Sequence, residues 1–163
     1  MKTFLTAIII MSSTIVSAQN GKATTEKNTF NRTTSVGIDI NSSPDKIWAL
    51  LTNAANYPKW NSTVISIQGT IAESEKIKLK STLDTSRVFK LKVKEFTPNE
   101  KLVWGDGKGL RTYTLTNNEN GTTTFFMTET IGGLMFPMYA KYIPEFDDNF
   151  ETFAADLKKA AEK

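Results

Sequence analysis

Near the C-terminus, apolar residues recur in steps of three and four: Tyr139, Ile143, Phe146, Phe150, Phe153 and Leu157. That spacing puts them on one face of a helix, and the face must be buried. Pro144 suits a first helical position, Glu145, Asp147 and Asp148 crowd the turn after it, and Lys158 and Lys159 fill the last turn, as the macrodipole favours. A long helix opening at Pro144 is therefore expected. Leu134 to Tyr142 reads as a shorter helix before it, or as the same helix kinked at the proline. About 18 residues from Pro144 onward would span roughly 27 Å and need a broad apolar partner.

Most of the preceding chain alternates with a period of two, as that partner should. Thr34, Val36, Ile38 and Ile40 alternate with Ser35, Gly37 and Asp39, a strand with one buried face. Ser42-Ser43-Pro44-Asp45 then signals a helix start, leading into Ile47, Trp48, Leu50 and Leu51. Tyr57-Pro58 and Trp60 mark a turn and a second short helix, with both rings expected against the sheet. Further on, Ile65 and Ile67 point inward and Gly69 marks a break or bulge. Ile77, Leu79, Ser81 and Leu83 alternate with Lys76, Lys78 and Lys80; Phe89, Leu91 and Val93 alternate with Lys90, Lys92 and Lys94. The lysine rows face water. Leu102 and Trp104 mark the inner face of the next strand, after a turn at Thr97 to Glu100. Two strands, Leu110 to Thr116 and Thr122 to Ile131, form a hairpin through Asn117 to Gly121. One face of it is mostly threonine; the other carries Arg111, Tyr113, Leu115, Phe125, Met127, Glu129 and Ile131. A hairpin centred near Glu119 sets Arg111 beside Met127 and diagonal to Glu129. Opposite charges then point inward together, which is costly unless they are paired or hydrated.

The N-terminus changes the picture of where this domain works. Met1 to Ala18 has one charge, Lys2, an apolar run from Phe4 to Val16 and small residues at 16–18, the pattern of a secretory signal peptide. The run is shorter than the about 20 residues a membrane-spanning helix needs. Cleavage after Ala18 and a periplasmic or secreted product are expected, with 19–31, rich in Thr, Asn and Lys, as a flexible leader and 32–163 as one domain. The chain has 163 residues with Cys 0, so an exported product would hold together through its core and not by disulfides. Lys+Arg 20 against Asp+Glu 17 is too even to argue for nucleic acid. A monomer is expected.

Strand, two short helices, about six further antiparallel strands and a long helix make an α+β helix-grip arrangement, a curved sheet of about seven strands wrapped around the C-terminal helix. Ile38-Asp39-Ile40-Asn41-Ser42-Ser43-Pro44-Asp45-Lys46-Ile47-Trp48, Tyr57-Pro58-Lys59-Trp60-Asn61 and the run from Phe150 to Lys159 resemble the START-like SRPBCC superfamily. This is the polyketide cyclase/dehydrase and lipid-transport group related to the birch-pollen allergen fold. The resemblance implies a deep cavity between sheet and helix that holds hydrophobic small molecules. It does not imply one ligand, nor catalysis in every member. Relatives often carry a histidine near where Arg111 stands here, and an acid at the position of Glu129.

With His 0 and Cys 0 there is no Ser-His-Asp triad, cysteine nucleophile, histidine-bound metal or imidazole acid/base. No cofactor or metal site is expected. The candidate ligand-binding set is Trp104, Arg111, Tyr113, Phe125, Met127, Glu129, Tyr139, Tyr142, Phe146 and Phe150. Arg111 and Glu129 either form a structural pair at the cavity mouth, or Arg111 meets an anionic ligand head, or one of Glu129, Asp106 and Tyr113 acts as an acid/base. The aromatic residues either pack as core or line the cavity. Gly132-Gly133 is a hinge for a lid or a plain turn, and the lysine rows are a solvated face or a weak contact for an anionic membrane surface. The expected function is reversible binding of a hydrophobic or amphipathic small molecule. The alternatives are a cyclase or dehydratase using the same cavity, and a ligand-free interaction module.

Overall fold

A computed structural model of the chain describes residues 20–163; the expected signal peptide lies outside the described residues. The strands are β1 (Ala23–Lys27), β2 (Asn31–Ile40), β3 (Val64–Gln68), β4 (Lys76–Ser81), β5 (Asp84–Thr97), β6 (Lys101–Gly105), β7 (Gly109–Asn117) and β8 (Thr123–Gly132). The helices are α1 (Pro44–Thr52), α2 (Tyr57–Trp60), α3 (Phe136–Tyr139) and α4 (Asp147–Ala161), with single 3-10 turns at Ala54–Asn56 and Ala140–Tyr142. All neighbouring strands pair antiparallel in one 8-stranded sheet of order β1-β2-β8-β7-β6-β5-β4-β3. This is the expected α+β helix-grip fold, with one strand more than the pattern suggested.

The extra strand is β1, inside the segment read as a flexible leader. Its sequence, ATTEK, has no apolar alternation, so nothing in a hydrophobic pattern marks it. Backbone pairing with β2 and polar contacts to α4 and the segment before it hold it instead. The Ala23 amide and Lys22 Nζ donate to Glu151, Thr25 donates to Asp147 at 3.1 Å, and Lys27 donates to Glu145 at 2.9 Å.

α4 also begins later than expected, at Asp147 and not at Pro144. Arg32, buried on the inner face of β2, donates to the carbonyl of Pro144 at 2.6 Å and to that of Ile143 at 3.4 Å. A helix opening at Pro144 would need those oxygens for its own first turn. The chain therefore runs as an irregular strap from Ala140 to Phe146. The short helix predicted over 134–142 is reduced to one α turn and one 3-10 turn.

Elsewhere the period-two faces are as expected. Val36, Ile38, Ile40, Ile77, Leu79, Val93, Leu102, Trp104, Tyr113, Phe125 and Met127 are buried, and Lys76, Lys78, Lys90, Lys92 and Lys94 are exposed. Ile65 is a correction: a bulge between Val64 and Ser66 turns it to solvent and buries Val64 and Ile67. Tyr57 and Trp60 pack on α4 rather than on the sheet alone, with ring centroids 6.4 and 5.7 Å from Phe153. The Tyr57 hydroxyl donates to Leu51 O at 2.8 Å, and burial pushes its pKa well up.

Candidate functional site

The β7–β8 hairpin positions the charged pair. Asn118 and Thr122 close a five-residue loop, with Glu119 and Gly121 at positive φ, so the hairpin centres on Asn120. Arg111 therefore lies directly opposite Glu129, and Tyr113 opposite Met127, a correction to the expected diagonal. Moving the centre by one residue shifts the pairing by two, so every side chain keeps its face. Arg111 Nε donates to Glu129 Oε2 at 2.5 Å, and Nη2 forms an ion pair with the same oxygen. Both side chains are mostly withdrawn from water, 12% and 16% exposed. The guanidinium also stacks over Phe150, 5.1 Å from the ring centre. Burial alone would lower the Arg111 pKa, but the adjacent Glu129 carboxylate and Tyr113 outweigh it, so the pKa rises and the cation persists.

Beside this pair the concave face is open. A cavity of about 290 Å³ lies between the sheet and the strap that precedes α4. Leu79, Phe89 and Leu91 on β4 and β5 form one wall, and Tyr139, Tyr142, Ile143 and Phe146 form the opposite one. Trp104, Arg111, Glu129 and Ile131 line it from β6 to β8, and Asp84, Arg87, Asp106 and Lys108 also border it. The strap is held from behind by Arg32, whose guanidinium lies 4.8 Å from the Phe146 ring centre while making its two carbonyl bonds.

Among the predicted site residues, Trp104, Arg111, Glu129, Tyr139, Tyr142 and Phe146 are brought together on this cavity. Tyr113, Phe125, Met127 and Phe150 are not: they are fully buried and pack as core. Tyr113 lies 5.7 Å and Phe125 6.2 Å from Phe153, ring centre to ring centre. The aromatic stripe thus divides, with one end core and the other lining. Sequence reasoning did not include Leu79, Phe89 and Leu91 in the site, although it put them on the inner face. A usable signal was the length of β5, Asp84–Thr97, which extends its inward residues far along one hairpin. Arg32 was also missed, though it sits two residues before Thr34 in the same inward phase.

Two polar groups are unsatisfied here. The indole N–H of Trp104 and the hydroxyl of Tyr113 are buried without a hydrogen-bond partner. The two rings stand edge to face, 5.0 Å apart. Burial pushes the Tyr113 pKa up to about 12, against the opposing pull of Arg111. Trp104 lines the cavity, but its N–H is itself buried and is not presented to that space; leaving such a group unpaired costs about 1–3 kcal/mol.

The two carboxylates considered for acid/base work are both engaged. Glu129 holds Arg111, and Asp106 Oδ1 accepts from the amides of Lys108 and Gly109 at 2.7 and 2.8 Å, closing its own loop. Gly132-Gly133 is a tied turn: the Gly132 amide donates to Lys108 O and the Gly133 amide to Phe30 O, each at 3.0 Å. A side chain at Gly132 would meet Asn31 Cβ and Phe30 O at 2.7 Å, so close strand approach requires this glycine.

The family model described as polyketide cyclase / dehydrase and lipid transport matches residues 31–162. No curated protein matches the sequence. Among solved structures, a conserved protein of unknown function from Enterococcus faecalis superposes with a TM-score of 0.65 at 15% identity, over 88% of this chain and 80% of that one. A START superfamily protein from Mycobacterium smegmatis gives 0.60 at 15% identity, over 80% and 97%. A hypothetical protein from Helicobacter pylori gives 0.62 at 13% identity, over 99% of both chains. At such identities the likeness is one of fold.

Proposed function

Because the chain belongs to the polyketide cyclase / dehydrase and lipid transport family, we propose that it is an exported binding protein for a hydrophobic or amphipathic small molecule. The observation that carries this reading is the cavity of about 290 Å³, apolar on two walls, with the Arg111–Glu129 pair at its polar side. Its size stands at the low end of the about 300–1,000 Å³ of small-molecule sites. A short-chain amphipath or a small ring compound fits within; a longer chain would emerge from the mouth. Apolar burial supplies the affinity, at about 25 cal/mol per Å² before ordering costs.

The polar end is set by what is already paired. Glu129 neutralises Arg111, so a ligand carboxylate would bring a second negative charge beside Glu129, and like charges repel strongly out of water. A neutral carbonyl or hydroxyl group beside the pair meets no such penalty. The Met1–Ala18 pattern supports export, and the intact mass of the purified protein tests it.

Native mass spectrometry of protein purified from its host without detergent, followed by solvent extraction, should show a small adduct that extraction removes. Decanol and decanoate, titrated while tryptophan fluorescence is followed, should separate in favour of the alcohol, and Glu129→Gln should narrow the gap. A clean mass together with no response to either probe would sink the binding reading. A cyclase or dehydratase would instead have to free Glu129 from Arg111 for proton transfer. Glu129→Gln would abolish turnover in such an enzyme and leave most binding by a carrier intact.

A further inference from the structure

The segment between β8 and α4 is apolar on both of its faces. Phe136 is buried and Tyr139 and Ile143 are half-buried, so these three fill the side towards the sheet. Leu134, Met138 and Tyr142, spaced by four, face outward at 86%, 68% and 73% exposure, and Met135 beside them is 59% exposed. Elements that are hydrophobic all round are ordinarily covered on every side. Here the outer side is bare. Phe30, also exposed, is joined to the same patch, because its carbonyl accepts from the Gly133 amide.

Basic and acidic residues both lie near the patch: Glu145, just past Pro144, is paired with Lys27 at 2.9 Å, and Asp84 borders the cavity. Lys141 is the one ionisable residue between Gly132 and Pro144 apart from tyrosines, and its ammonium lies over the Tyr142 ring at 4.9 Å. Lys108 lies over the Tyr139 ring at 5.0 Å. Asp106, a further acid nearby, is turned into its own loop by its amide bonds. Tyr139 and Tyr142 belong to both the patch and the cavity wall, so the exposed apolar surface is continuous with the cavity mouth.

We propose that this surface docks on an anionic lipid membrane, with Leu134, Met135, Met138 and Tyr142 entering the interface and Lys108 and Lys141 meeting the headgroups. Shallow insertion covers the outward side chains, and long lysine stems keep their charges among the headgroups. A protein partner would need a matching concave apolar surface; a bilayer edge of negative charge needs none. The site differs from the lysine rows of β4 and β5, which lie on the opposite face of those strands from the cavity wall. Docking at the mouth would let an amphipathic ligand pass between bilayer and cavity without crossing water. That consequence rests on the proposed binding function, whereas the docking itself does not.

Co-sedimentation with vesicles of phosphatidylcholine, with and without phosphatidylglycerol, tests the proposal. All preparations should share one N-terminus, defined by intact mass, because an uncleaved Met1–Ala18 run would itself enter a bilayer. Binding to the anionic vesicles should exceed that to neutral ones by about tenfold and fall with added salt. The double variant Leu134→Ser with Met138→Ser should lose that binding while melting at the same temperature, and Lys141→Glu should weaken binding to anionic vesicles alone. Equal binding by the double variant, or no preference for anionic vesicles, overturns the proposal. So does a solution dimer that the double variant abolishes, which would assign the surface to a second copy of the chain. The decanol titration without vesicles reads the cavity separately, so failure of either reading is distinguishable from failure of the other.

Discussion

The concave face of the sheet is filled under α4 and open beyond it. Under the helix, Phe153 meets Tyr57, Trp60, Tyr113 and Phe125 with ring centroids between 5.7 and 6.4 Å, and all but Trp60 are fully buried. Beyond the first turn of α4, the same face is covered only by the strap and by the far end of the β4–β5 hairpin, and a cavity of about 290 Å³ remains. Both regions are built from inward aromatic and aliphatic residues. What separates them is what covers the sheet: α4 over one region, and over the other the strap whose Ile143 and Pro144 carbonyls are held by Arg32.

Substitutions should therefore act differently in the two regions. Phe153→Ala, in the filled region, should cost about 3–5 kcal/mol, seen as a large fall in melting temperature. A high-pH titration reads the boundary residue Tyr113. Its folded pKa of about 12 lies above the about 10 of an unfolded chain, so its contribution is complete below pH ~10 and is lost as pH rises through ~12, amounting to about 3 kcal/mol. Tyr57, whose pKa is also raised, acts in the same direction. Stability measured by urea unfolding should accordingly decline from about pH 10 upward. Glu129→Gln would leave the Arg111 charge withdrawn from water without its counterion and should cost about 1–3 kcal/mol, less than in a closed core because the cavity admits solvent. Phe89→Ala, on the open wall, should cost less than about 1 kcal/mol of stability yet weaken decanol binding by about tenfold. If Phe89→Ala instead destabilises as much as Phe153→Ala, the two regions are one continuous core and the contrast fails.

The N-terminal segment shows a different kind of contrast. β2 was legible because Thr34, Val36, Ile38 and Ile40 alternate, whereas β1 was not, because its ladder is backbone and most of its side-chain partners lie on α4 or just before it, more than a hundred residues away. The start of α4 was misplaced for a related reason. Pro144 and the acids after it are sound local signals, and they were overruled by a single arginine on a distant strand.

From its sequence alone the chain determined its class, its element order and which face of nearly every strand is buried, since those follow from local periodicity and turn chemistry. It also determined that Arg111 and Glu129 point inward together, because the parity of a hairpin survives a change of loop centre. Only the tertiary structure decided that the two pair with each other, and that Tyr113, Phe125, Met127 and Phe150 are core while Leu79, Phe89 and Leu91 line a cavity. Whether an inward side chain meets another side chain or empty space depends on how far the opposing layer stands from it, and that distance is set by contacts between residues remote in sequence.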